Sequence, residues 1–247
     1  MSGHSKWATI KHKKAALDAK RGKVFTSIIK EIMIAARQGG DADANPRLRT
    51  AVLAAKAVSM PNDNIKRAIM RGTGELEGGT IDEYTYEGYG PGGVAVVVEV
   101  ATDNKNRTVS EIRHAFSKNG GNMGEQGSVA WMFDRKGRII LDGENLNEDE
   151  LMNLVLEAGA DDLRQDGDAW EVITAPEALN TVQEALDKAK VPMAEAKLAM
   201  IPKNLVPVSG GSVKGLLKML DILEEHDDVQ NVFTNADIDE KEMEALA

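Results

Sequence analysis

The chain contains no cysteine. That one absence excludes a disulfide framework, thiolate metal ligands and cysteine nucleophiles. Aromatic residues make up 4% of the sequence, too few for a broad base-stacking platform. No run of 18 apolar residues occurs, so no transmembrane helix is expected. The opening Met1-Ser2-Gly3-His4-Ser5-Lys6-Trp7 has no apolar stretch behind it and does not read as a secretory signal, which makes the cytoplasm the expected location. His4, His12, His114 and His226 show no zinc spacing, and neither a nucleophile elbow nor a phosphate loop is found. The expectation is a non-enzyme with no catalytic residue, metal or cofactor. A small-molecule sensor or enzyme built on the α/β segments would need converging ionisable groups, and the sequence does not assemble such a set.

What is present is charge, unevenly placed. The 247 residues hold 30 Lys plus Arg and 40 Asp plus Glu, a net −10. That total argues against a nucleic-acid partner. Its distribution argues the other way. Residues 1–72 carry 15 basic and 5 acidic side chains, a net +10, and residues 73–247 carry 15 and 35, a net −20. A basic module joined to an acidic body is the pattern expected of a nucleic-acid binder. Lys6, Lys11, Lys13, Lys14, Lys20, Arg21, Lys23 and Lys30 are offset locally by Asp18 alone.

Periodicity divides the chain. Residues 7–71 read as helices. In the first, about 7–20, the apolar stripe is broken by Lys13 and Lys14, so a partner is expected to order it. The second, about 23–38, has Phe25, Ile28, Ile29, Ile32, Met33 and Ala36 on one face. Asn45-Pro46 caps and starts a third, and Pro61 opens a fourth. Residues 73–80 read as a linker. Strands are expected at Tyr84–Tyr86, Val94–Val100, Val129–Phe133 and Arg138–Leu141, with a helix between the second and third opened by a capping box at Thr108 and Glu111. A βαββαβ order then runs to Met200. Short strands at 204–208 and 229–234 flank a helix at 213–225. The pattern predicts a multi-domain α+β chain. It has an all-α basic domain over 1–75 and a discontinuous ferredoxin-like domain over 81–135 and 202–240. A second ferredoxin-like domain, 136–201, is inserted into the first. The tail from 236 is acidic and expected to fray.

Several local signals read as structural. Gly88-Tyr89-Gly90-Pro91-Gly92-Gly93 has the spacing of a dinucleotide loop, but a Val-rich strand follows it where a helix is required. Lys136-Gly137-Arg138-Ile139 matches the start of an RNA-recognition motif without its aromatics. Glu111 and His114 are spaced as a local helix pair. The acidic run Glu224–Asp228 reads as a solvated face, and Trp131 and Trp170 as core.

Six segments together resemble the YebC/PmpR family. They are Gly3-His4-Ser5-Lys6-Trp7, Asp18-Ala19-Lys20-Arg21-Gly22-Lys23, Asn45-Pro46-Arg47-Leu48-Arg49, Tyr86 through Gly93, Asp103-Asn104-Lys105-Asn106-Arg107-Thr108 and Asn119-Gly120-Gly121. The resemblance implies three domains and a non-enzymatic, nucleic-acid-associated role. That role is either DNA-binding transcriptional regulation or ribosome-associated translation at proline-rich stretches. The expected partner is ribosomal RNA, tRNA or DNA, with the ribosome itself a candidate and no membrane involved. The expected contacts are Lys6, Trp7, Lys11, His12, Lys13, Lys14, Lys20, Arg21 and Lys23, extended by Arg47, Arg49, Lys66, Arg67 and Arg71. RNA is favoured over duplex DNA, because no helix-turn-helix signature occurs and a mobile basic helix suits an irregular surface.

Overall fold

A computed structural model describes residues 17–142, 146–166, 169–239 and 242–243. Three helices come first: α1 (Leu17–Ala36), α2 (Pro46–Ala57) and α3 (Asn62–Thr73). Residues 17–36 form one helix through Gly22, so the expected break between 20 and 23 is absent. A single glycine costs a helix only about 1 kcal/mol, which a helix of this length tolerates. Asn45 caps α2 as its sequence predicts, accepting from Leu48 N at 3.1 Å. Its amide also donates to Ala35 O and Gly39 O, so one buried side chain ties the start of α2 to the end of α1. Ile32, Met33, Ala36, Leu48, Ala55, Ile65 and Ala68 form the shared core. Gly72 lets α3 cross α1 closely, because a Cβ there would lie 2.4 Å from Met33 O.

Residues 74–81 contain no helix or strand. The first sheet follows, with order β3-β1-β2-β9. Its strands are β1 (Asp82–Tyr89), β2 (Ala95–Thr102), the short β3 (Asn122–Met123) and β9 (Val229–Thr234). Helices α4 (Lys105–Lys118) and α7 (Gly211–Glu225) cover one face. Val96, Val98 and Val100 point to those helices, while Ala95 and Val97 join a smaller cluster with Val129, Phe133, Ala199 and Phe233 on the other face. Burial of both faces explains the unbroken valine run of β2.

The second sheet has order β5-β6-β4-β7. It comprises β4 (Phe133–Asp142), α5 (Glu148–Glu157), β5 (Ala160–Asp166), β6 (Ala169–Thr174), α6 (Leu179–Lys188) and β7 (Met193–Pro202). All three strand pairs are antiparallel. This is the βαββαβ arrangement that the pattern predicts. Strands β8 (Val206–Val208) and β10 (Ala236–Ile238) pair in parallel as a separate ribbon.

The other half of that prediction needs correction. The first sheet is not a βαββαβ unit. Residues 130–132 form a 3-10 turn, and Phe133 begins β4 of the second sheet. The hairpin β1–β2 takes the place assigned to a strand at 129–133. Strand β8 leaves the sheet for its ribbon with β10, which also orders residues 236–238 that were expected to fray. Helix α4 starts three residues before Thr108, with Asn104 as its cap, so the Thr108–Glu111 capping box does not form. Helix α6 begins at Leu179, after a turn over 176–178.

Candidate nucleic-acid interface

The proposed contacts fall into three groups. Lys6, Trp7, Lys11, His12, Lys13 and Lys14 lie outside the described residues. Lys20 and Arg21 lie on the helical backbone of α1, and their side chains are outside the described ones. The remaining six are placed, and they do not form one patch.

Lys23 and Arg47 face the acidic body. Lys23 Nζ donates to His226 O at 2.9 Å, Ser27 Oγ to Gln230 Oε1 at 2.6 Å, and Lys30 Nζ to Asp228 Oδ1 at 2.7 Å. Positions 23, 27 and 30 share one face of α1, so a single stripe meets the turn between α7 and β9. Lys30 also donates to Ala101 O and Asp227 O, which uses all three ammonium hydrogens. Arg47 joins Glu31 on α1 to Glu83 on β1, with shortest contacts of 2.7 and 2.6 Å. These two carboxylates push its guanidinium further into the charged form. Arg37 likewise reaches Asp82 and Ile81 O.

Asp228 is the centre of this seam. Its side chain is 7% exposed. Oδ2 lies 2.8 Å from Arg107 Nη2, 2.7 Å from Thr108 Oγ1 and 3.0 Å from Thr102 Oγ1. Burial alone would raise its pKa. The hydrogen bonds from Lys30, Arg107 and Thr108 outweigh burial and hold the carboxyl well below the usual range. The acidic run Glu224–Asp228 is therefore not wholly a solvated face. Glu111, expected to pair with His114, instead meets His226 Nε2 at 2.8 Å.

Arg49, Lys66, Arg67 and Arg71 are exposed. Arg49 bonds the carbonyls of Ala42 and Asp43, and Arg67 bonds Asp63 O and Asn64 Oδ1. None of the four has an ion pair among the described residues. Asn64, Arg67, Ala68 and Arg71 follow i, i+3, i+4, i+7 spacing and line a groove with Ile29. Among the described residues no group of His, Asp and Glu is placed to hold a metal ion. No described helix is long and apolar enough to cross a membrane.

Residues 5–75 match the family model described as TACO1/YebC protein N-terminal domain, and residues 81–236 match the one described as TACO1/YebC second and third domain. The chain belongs to the TACO1/YebC family. A "probable transcriptional regulatory protein" of Solibacter usitatus is 66% identical over 247 residues, covering all of both chains. One of the same description from Acidobacterium capsulatum is 59% identical over 242 residues, 98% of each chain. A crystal structure of a conserved hypothetical protein from Aquifex aeolicus matches with a TM-score of 0.88 at 46% identity, covering 95% of this chain and 98% of that one.

Two features of this TACO1/YebC chain escape sequence reasoning. Glu87 is buried in β1 and accepts from Gly127, Val129 and Ala130 N–H at 2.7 to 2.8 Å. Burial pushes its pKa up, and the three backbone bonds bring it net below the usual value. It fixes the loop that carries Trp131. That indole was expected in the core and is 65% exposed, with its N–H bonded to Ser128 O. Trp131 sits in the 3-10 turn and not in a strand, so strand alternation does not turn it inward. Trp170, in β6, is buried as expected. The hydrophobic pattern carries no signal for Glu87, because a lone acid among Tyr86, Gly88 and Tyr89 reads as an outward-facing strand position.

Proposed function

We propose that this protein is a non-enzymatic regulator of gene expression that binds nucleic acid through its N-terminal helical module. The observation that carries the reading is the charge division at residue 72, +10 against −20. Exposed Lys66, Arg67 and Arg71 on α3 support it, since each is free of a carboxylate partner among the described residues. Lys11, Lys13 and Lys14 supply the densest charge. Cations of this kind contact phosphates and give affinity with little sequence specificity. Lys23 and Arg47 hold the module on the body. They are structural contacts in this reading, and the proposed nucleic-acid set is narrower than the sequence alone gives. The chain divides at 1–75, 136–201 and the two flanking pieces of the middle domain.

Within that class we favour RNA of the ribosome or tRNA, and action on translation, because the sequence has no helix-turn-helix signature and its basic first segment suits an irregular RNA surface. The relatives' names favour a second reading, a transcriptional regulator on promoter DNA. Co-sedimentation with ribosomes at moderate salt, run beside footprinting on promoter DNA, separates the two. Reversing Lys11, Lys13 and Lys14 to Glu is expected to weaken binding at least tenfold and to flatten its salt dependence. Unchanged binding would overturn the reading.

A further inference from the structure

A cleft of about 430 Å³ lies where the helical module meets the body. One wall is the α1 stripe Thr26, Ile29 and Met33, and residues 78–81 cross over it. It adjoins the groove of about 190 Å³ along α3, with Ile29 and Arg71 common to both. The floor is apolar, and the charged side chains that line the cleft are Lys30, Asp103 and Arg71. Lys30 and Asp103 close the inner end, and both are engaged: Lys30 by Asp228, Asp103 by Arg107. Arg71 is different. Its aliphatic stem packs on Gly78, about 3.4 Å from where a Cβ would stand, and its guanidinium has no partner among the described residues.

We propose that this cleft takes one nucleotide of a single-stranded segment, with the base on Ile29 and Met33 and its phosphate on Arg71, Arg67 holding the next phosphate along α3. An apolar slot lined by a free guanidinium suits a splayed base. A stacked duplex about 20 Å across cannot enter a space of this size, since its bases face one another inside it. The inference rests on the nucleic-acid reading above and goes beyond it by naming the strand form and the subsite.

The test is fluorescence anisotropy of the full chain with labelled twelve-nucleotide oligo(U), oligo(dT) and a twelve-base-pair duplex. Two variants address the cleft: Arg71→Ala removes the phosphate partner, and Thr26→Trp fills the slot without changing charge. Both are expected to weaken single-strand binding roughly tenfold and to leave duplex binding within about twofold. Circular dichroism and melting temperature check that each variant is folded. Preference between oligo(U) and oligo(dT) tells which sugar is bound, and either supports the cleft. Equal loss for duplex and single strand would overturn the proposal, as would a loss with Arg71→Ala that Thr26→Trp fails to reproduce. If Lys11, Lys13 and Lys14 reversal abolishes binding while both cleft variants bind normally, the cleft proposal fails and the nucleic-acid reading stands. If the unmodified chain binds none of the three probes, both fall.

Discussion

Asp228 and Glu87 are both buried carboxylates, the first in a turn and the second within β1, and their charges are compensated in opposite ways. Asp228 is met by two cations from distant elements, Lys30 on α1 and Arg107 on α4. Glu87 is met by three backbone N–H groups of one loop and by no cation. The first arrangement joins modules about 200 residues apart in sequence, since Lys30 and Asp228 are separated by 198 positions. The second shapes a local surface. A charge partner on a mobile side chain can reach across a seam, whereas backbone donors fix the path of the chain that carries them.

The largest expected effect is at Asp228. Asp228→Ala leaves the partly buried Lys30 ammonium with only carbonyl acceptors and no opposite charge, and should lower unfolding free energy by about 3 kcal/mol. Urea denaturation checks it, and a loss below about 1 kcal/mol would show that the seam is weakly coupled to folding. Glu87→Gln comes next. It keeps an acceptor but loses the charge, and one of its two oxygens becomes a donor facing backbone N–H. A cost of about 2 kcal/mol is expected, with faster amide exchange at Gly127, Val129 and Ala130 and a change in Trp131 near-ultraviolet dichroism. Asp228→Ala should leave that dichroic signal unaltered. If both substitutions change it, the two regions are not independent.

Acid sharpens the same comparison. Both carboxyls have folded pKa values below their unfolded ones, near 4. Their stabilisation is therefore complete above the unfolded value and is lost as pH falls through the folded value. Stability should decline from about pH 4 downward, and Asp228→Asn should make that acid limb shallower. A limb of unchanged slope would assign acid unfolding to other carboxylates. The smallest effect is expected at Arg47. It bridges Glu31 and Glu83 but is 39% exposed. Solvent screens such a pair, so Arg47→Ala should cost under about 1 kcal/mol, and less still in high salt.

Local structure is largely legible in the sequence. Asn45-Pro46 announces α2 because a side-chain acceptor and a missing N–H are both local requirements. The valine run 94–100 announces a strand buried on both faces, and spacing alone gives the βαββαβ order from β4 to β7. The errors share a cause. Thr108 looks like a cap and is a partner of Asp228. Residues 129–133 look like one strand and divide between a turn and a strand of the other sheet. Trp131 looks like core by composition. Each depends on contacts more than 40 positions away or on the path of a turn, and hydropathy periodicity records neither.

The sequence by itself determined the family, the helical and strand segments and the division of charge, because each of these is a property of neighbouring residues or of composition. Only the tertiary structure decided which cations remain free. Lys23, Lys30 and Arg47 belong to the same basic count as Lys66, Arg67 and Arg71, yet the fold sets the first three against the His226 carbonyl, Asp228 and Glu83 of the body, and the others have no ion pair among the described residues. Charge is counted along the chain, but its availability is set by which opposite charges the fold brings within a few ångströms, where Coulomb attraction exceeds the screening of water.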